Sequence, residues 1–367
     1  MKIPVDFLTP GMRVQKPLFG RRGELLLNRG VTLSDSLITL LKKNNILTVD
    51  VEGPVPFDEY QIKDTISEKL RQAALNTLMD WIKNKHVLNL KRVYDVVKSL
   101  VEEILSDKEV SDNLTNLCST DLYTFAHSVD VCILSVMAGK KLGFNKKKLY
   151  TLGMGSILHD VGKLDIPPEI LNKPARLSPE EYEIIKKHPI YSYEKLRKRE
   201  DENLNPYSLN IVLNHHERFD GSGYPRRLKK DEIYELDYLC AIADVFNAMT
   251  TDRVYRKALP VHEVYEMLEG SCDTLFPYDI TKAFLSCIDP FPPGTLVMLS
   301  TEEPAMVIAS SKLPFRPRVK LLRSLEDIDL TKELKITIRR QLTPEEALNF
   351  VPTFERSRFY NLINLNL

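Results

Sequence analysis

Between about Val87 and Asp289 the apolar residues of this chain recur at the helical period, as in Leu122, Phe125, Ala126, Val129, Ile133 and Val136. A pattern kept for that long predicts an all-helical block. Into it the sequence sets five of the seven histidines, His127, His159, His188, His215 and His216, together with Asp244 inside the apolar run "LCAIADVFNAM". A carboxylate is costly to bury unless it is paired or binds a cation. His86 and His262 lack such surroundings and read as ordinary side chains.

The flanking segments follow other rules. Residues 1–55 combine a hairpin-like pair, "MRVQKPLF" and "ELLLNRGVTL" around "GRRG", with a helix candidate "SDSLITLLKKNN" and a strand "ILTVDVEG". They predict a small α+β module. After "GPVPF", the spacing of Ile62, Ile66, Leu70, Ala73, Ala74 and Leu78 predicts a connecting helix over 56–86, whose apolar stripe could pair with a copy of itself as a homodimer. Beyond the helical block, 87–290, the runs "TLVMLS", "AMVIAS", "RVKLL" and "LKITI" are short and β-like, and predict a β-rich extension over 291–367. The expected fold class is mainly α.

Composition narrows the partners. Lys+Arg and Asp+Glu balance at 51 each, so no whole-molecule field steers the chain onto nucleic acid, and no DNA partner is expected. The five cysteines are scattered and form no CxxC pair, which argues against a thiolate zinc site and a disulfide framework. Reduced thiols, no leader-like start and no apolar run of roughly 20 residues predict a cytoplasmic protein away from membranes.

The histidines point to metal. In "SILHDVGKLDIP" a helix that ends at Gly162 lets His159 and Asp160 line one cavity, with Lys163 on the same face, where it can reach a phosphate. His127 lies on an amphipathic run, His188 precedes Pro189 at a helix start, and His215–His216 follow the apolar "SLNIVL". Five imidazoles and two carboxylates exceed the needs of one tetrahedral zinc. Two octahedral-type ions about 3.5–4 Å apart use them all if a carboxylate bridges, and Asp160 is central in the set. Mixed nitrogen and oxygen donors suit iron or manganese, with nickel and cobalt as alternatives.

Taken together, "YTFAHS", "LHDVGKLDIP", "ILNKPARLSPEE", "KKHP", "LNHHERFDGSGYP" and "IADVFNAMTTDRVYRKA" resemble, in order, the HD-GYP family of HD-domain metal-dependent phosphohydrolases, over roughly residues 115–320. The resemblance implies an all-helical HD-type bundle and hydrolysis of the bacterial messenger cyclic di-GMP to pGpG and on to GMP. It implies His127, His159, Asp160, His188, His215, His216 and Asp244 as metal ligands, and Lys163, Arg253 and Arg256 as contacts to the messenger. Diguanylate cyclases (GGDEF proteins) or other signalling proteins are the implied partners. Family members with a third metal carry glutamate where this chain has Tyr123, so two metals are expected; Asn247 replaces a usual aspartate and loosens any ion pair with Lys163. The expected nucleophile is a hydroxide shared by the two metals, with Asp160 and Lys163 at the reacting phosphate. In the "GSGYP" turn, Gly221 and Gly223 permit positive φ and close backbone approach, and Tyr224 can meet the site, where stacking on a guanine is worth about 1–3 kcal/mol. A weakly catalytic scaffold that only binds the messenger is the alternative, and a diiron oxygenase a more distant one.

Overall fold

A helix that is apolar on every side has to lie inside a bundle. Tyr123–Lys141 (α4) is such a helix, with Phe125 to Gly139 buried throughout. The computed structural model describes residues 2–5, 8, 10–15, 17–19, 25–43, 46, 48–51, 66, 68–83, 89–106, 123–173, 175–199, 204–251, 258–343 and 346. The chain packs into two units, one of residues 64–112 and 124–288, the other of residues 1–63, 113–123 and 289–367.

The first unit is helical. Besides α4 it holds Glu68–Lys83 (α2), Leu90–Ser106 (α3), Lys146–Leu158 (α5), Pro168–Leu171 (α6), Pro179–Ile185 (α7), His188–Arg197 (α8), Pro206–Asn214 (α9), Glu235–Thr250 (α10), Val261–Gly270 (α11) and Tyr278–Leu285 (α12). The stripe on α3 reads Val93, Val97, Leu100, Val101 and Ile104, all buried, at the spacing of one helical face. The main helical contacts that position the site are α5 against α9, α8 against α9, and α3 against α5.

Within the second unit, Asp35–Lys43 (α1) accompanies two small antiparallel pairs, Lys2–Pro4 (β1) with Thr48–Asp50 (β4), and Leu18–Phe19 (β2) with Leu25–Leu27 (β3). Their core holds Met12, Val14, Leu33, Leu41 and Val49. The C-terminal part is an antiparallel five-stranded sheet of Leu296–Leu299 (β5), Pro304–Ala309 (β6), Arg318–Leu321 (β7), Asp327–Asp329 (β8) and Ile338–Gln341 (β9), in the order β8-β7-β6-β5-β9. It differs from the sequence reading at two places. "LKITI" supplies only Ile338 to β9, and β8 escapes notice because its "DID" lacks a β-type apolar run; Lys320 of β7 pairs with its Asp327 across the strands.

The expected connecting helix is more than a spacer. On α2, Ala74, Leu75, Leu78 and Met79 are buried, and the helix packs on α3, so part of the stripe expected to pair with a copy of itself is covered within this chain, while Leu70 is half-buried and Ala73 exposed; Ile62 lies outside the described residues. Arg71 of α2 donates to Asp130 of α4, which is fully buried. Removing one partner of a buried pair leaves an uncompensated charge. Arg71→Ala is expected to lower the unfolding free energy by about 3 kcal/mol, read from the midpoint of a denaturant titration, with Arg71→Lys closer to wild type.

Candidate metal centre

Five segments carry the predicted donors to one place. α5 starts at Asn145, whose side chain accepts from Lys148 N at 2.9 Å, and stops at Leu158, so that His159 caps it and Asp160 opens a 3₁₀ turn over Val161–Asp165. Glycines set the distance to the neighbours: a Cβ on Gly155 would come within 2.6 Å of Ile211 of α9, and one on Gly153 equally close to Val97 of α3. Ser192 of α8 fastens the turn. Its hydroxyl donates to the His159 carbonyl at 2.9 Å and accepts from Gly162 N at 2.7 Å. Gly162 lies against the backbone of His188 and Ser192, where no side chain fits. His188 begins α8, His215 caps α9, and Asp244 sits in the buried part of α10.

Hydrogen bonds fix how the imidazoles face. Nδ1 of His159, His188 and His215 each donates to the carbonyl three residues earlier, Ser156 at 2.6 Å, Ile185 at 2.8 Å and Val212 at 2.8 Å. A carbonyl only accepts, so each neutral ring keeps its lone pair on Nε2. Nδ1 of His127 is held at 2.6 Å by the amide oxygen of Asn247, which turns its Nε2 to 3.0 Å from Asp244 Oδ1. His216 differs, with Nδ1 3.6 Å from Asp244 Oδ2 and its ring stacked on Tyr224, centroids 4.7 Å apart.

Asp160 stands between two sets of donors. Its Oδ1 is 3.2 Å from His188 Nε2 and 3.8 Å from His215 Nε2; its Oδ2 is 3.3 Å from His159 Nε2 and 3.7 Å from His127 Nε2. Lys163 Nζ reaches the same Oδ2 at 2.5 Å. Three overlapping triplets, His188–His215–His216, His127–His159–Asp244 and His159–Asp160–His215, each offer ligand atoms within 4.8 Å of one another. Metal–nitrogen bonds of about 2.1 Å put neighbouring ligand atoms about 3 Å apart, which these separations approach. His159 Nε2 and Asp160 Oδ1 are buried and make no hydrogen bond. Buried polar atoms rarely lack a partner. A cation is the partner their chemistry fits.

The charges agree. Burial and the neighbouring imidazoles hold His215 and His216 well below the usual histidine range, and burial lowers His188, so these three rings are held neutral, the form that can bind a cation. Burial pushes Asp160 and Asp244 up, but His159 and Lys163 beside Asp160, and His127 and His216 beside Asp244, outweigh it and keep both carboxylates ionised. For His159 burial works downward and the Asp160 carboxylate overcomes it, leaving its pKa raised. A bound cation would displace that proton. Metal affinity is therefore expected to fall as the pH drops through and below the raised His159 value, roughly tenfold per unit for one displaced proton, in Mn²⁺ titrations followed by calorimetry.

The remaining predicted residues fall into two groups. Arg253 and Arg256 lie outside the described residues, as does the Tyr123 side chain. The "GSGYP" turn is described in full. Gly221 takes φ +82°, whereas Gly223 is needed for space: a Cβ there would lie 2.5 Å from Glu217, His216 and Arg218 backbone atoms. Tyr224 N donates to the His216 carbonyl at 3.2 Å, and one face of its ring is taken by His216. Two contributors escaped the sequence reading. Glu217, fully buried, accepts from Arg226 N at 2.6 Å and Leu228 N at 2.9 Å and so ties the turn down; an acid directly after two adjacent histidines is its signal. Ser192, a lone serine in a mixed helix, gives none. Glu217→Ala is expected to cost about 3 kcal/mol and to open residues 218–228 to proteolysis, measured by thermal melts and limited digestion.

A family model described as HD domain matches residues 99–279. A cyclic di-GMP phosphodiesterase of Pseudomonas aeruginosa is 28% identical over 269 residues, 73% of this chain and 64% of the relative. The 3'3'-cGAMP-specific phosphodiesterase 1 of Vibrio cholerae is 38% identical over 187 residues, 48% of this chain and 40% of the relative. The chain thus spans less than two thirds of the length of either. Among solved structures, an HDG"Y"P protein from Bdellovibrio bacteriovorus shares the fold with a TM-score of 0.52 at 20% identity, over 78% of this chain and 98% of that one. Residues 99–279 thus match an HD domain, and the fold is shared with the Bdellovibrio protein.

Proposed function

We propose that this protein is a metal-dependent phosphodiesterase that opens cyclic di-GMP to pGpG and cleaves further to GMP. The observation that carries the reading is Asp160, which turns one oxygen to His188 and His215 and the other to His159, His127 and the Lys163 ammonium. Relatives that act on cyclic di-GMP and on 3'3'-cGAMP support the substrate class, a cyclic purine dinucleotide.

His127, His159 and Asp244 would hold one divalent cation and His188, His215 and His216 a second, with Asp160 shared between them. When bound, such cations supply positive charge to the phosphate and lower the pKa of water toward neutrality. Lys163, 20% exposed, can reach a phosphate oxygen without leaving Asp160, because an ammonium has three donors. Hydrolysis forms one bond from water oxygen to phosphorus and breaks the bond to the ribose oxygen, which leaves with a proton. Asn247 supports this reading, since its amide oxygen orients His127 and Lys163 has Asp160 as its partner instead. A diguanylate cyclase fits as the signalling counterpart because it makes the substrate.

The test is anaerobic purification, metal analysis and turnover of cyclic di-GMP and 3'3'-cGAMP by wild type and Asp160→Asn. Two ions per chain and pGpG release are expected from wild type. The variant is expected to lose metal and to turn over on the order of 100-fold more slowly or worse. Wild-type turnover by Asp160→Asn, or messenger binding without turnover by the metal-replete protein, contradicts the proposal.

A further inference from the structure

The donor set accounts for the phosphates of a dinucleotide but not for its bases, and a cluster of two tyrosines and a lysine lies beside it. Tyr182 lies on α7 and is 47% exposed. One turn later, Lys186 Nζ lies 5.2 Å from the Tyr182 ring centroid and 6.0 Å from that of Tyr224. Tyr224 in turn stacks on His216. Lys186 also stands two residues before His188, so the short turn between α7 and α8 fixes it to the donor set. A row therefore runs outward from the centre: His216, Tyr224, Lys186, Tyr182.

The geometry points to Tyr182 and Lys186 as a nucleobase subsite, with the Tyr182 ring stacking on a purine of the substrate and Lys186 meeting its carbonyl or the adjoining phosphate. Tyr224 has one face covered by His216, so Tyr182 is the more open of the two rings. Lys186 is paired with Glu183, whose side chain is 66% exposed. An ion pair to so exposed a carboxylate contributes little, so a phosphate or guanine oxygen can replace it at small cost. Stacking on a tyrosine is tolerant of the base, which suits guanine and adenine alike. This assignment rests on the proposed function for the identity of its ligand.

The experiment uses the metal-replete full chain as wild type, Tyr182→Ala, Tyr182→Phe and, as a control at a distant exposed ring, Tyr207→Ala. Readouts are KM and kcat for cyclic di-GMP, the dissociation constant of GMP, metal content and the melting temperature. Tyr182→Ala is expected to raise KM and to weaken GMP binding roughly tenfold, with metal content and melting temperature held and most of the loss recovered in Tyr182→Phe. If KM and GMP binding in Tyr182→Ala stay within about twofold of wild type, or if Tyr207→Ala weakens them as much, the subsite is overturned. If wild type binds GMP through Tyr182 yet does not turn over cyclic di-GMP, the subsite stands and the proposed activity fails.

Discussion

The helical unit depends on the burial of one carboxylate. Asp160 is 1% exposed, and an isolated ion in that place would be prohibitive. It is ionised because His159, His188 and Lys163 surround it, and each of these is delivered by a different local device: the end of α5, the start of α8 and a 3₁₀ turn. The close packing of α5 on α9 and of the turn on α8 follows from glycines that bring backbones together. Packing and electrostatics are thus the same problem solved once.

Around the donors lies a second ring of hydrogen bonds that decides what the donors can do. Main-chain carbonyls of Ser156, Ile185 and Val212 and the amide of Asn247 occupy the Nδ1 positions. The rings cannot rotate without breaking these bonds, so their remaining nitrogens stay aimed at Asp160 and Asp244. Such preorganisation lowers the cost of ordering side chains when a cation binds. The Glu217 carboxylate extends the same economy of design to the turn that covers His216, using two main-chain donors at 2.6 and 2.9 Å.

A chain with balanced charge still concentrates positive charge locally. Lys163 supplies positive charge at the centre, and Lys186 supplies it at the rim beside two tyrosines, without any basic field over the molecule. Local placement suffices because charges close to a partly buried site are weakly screened, whereas distant surface charges are not felt.

The sequence by itself determined the helical block, since periodicity over α3 reports which face is buried and the long apolar runs of α4 and α10 report helices inside the bundle, and it determined the donor inventory, since a buried aspartate among apolar residues needs a partner. The turn after His159 was legible in Gly162 and "DIPP", and the start of α8 in His188–Pro189. Short polar elements were not: β8 has no apolar alternation, and the end of "LKITI" enters its strand only through pairing with β5. Nor could spacing along the chain reveal that Asn247 meets His127, 120 residues away, that Arg71 meets Asp130, or that Ser192 holds the His159 turn. Local sequence encodes the period and the capping of each helix. Which oxygen faces which nitrogen is decided only when the helices cross, because a hydrogen bond depends on distances that chain order does not contain.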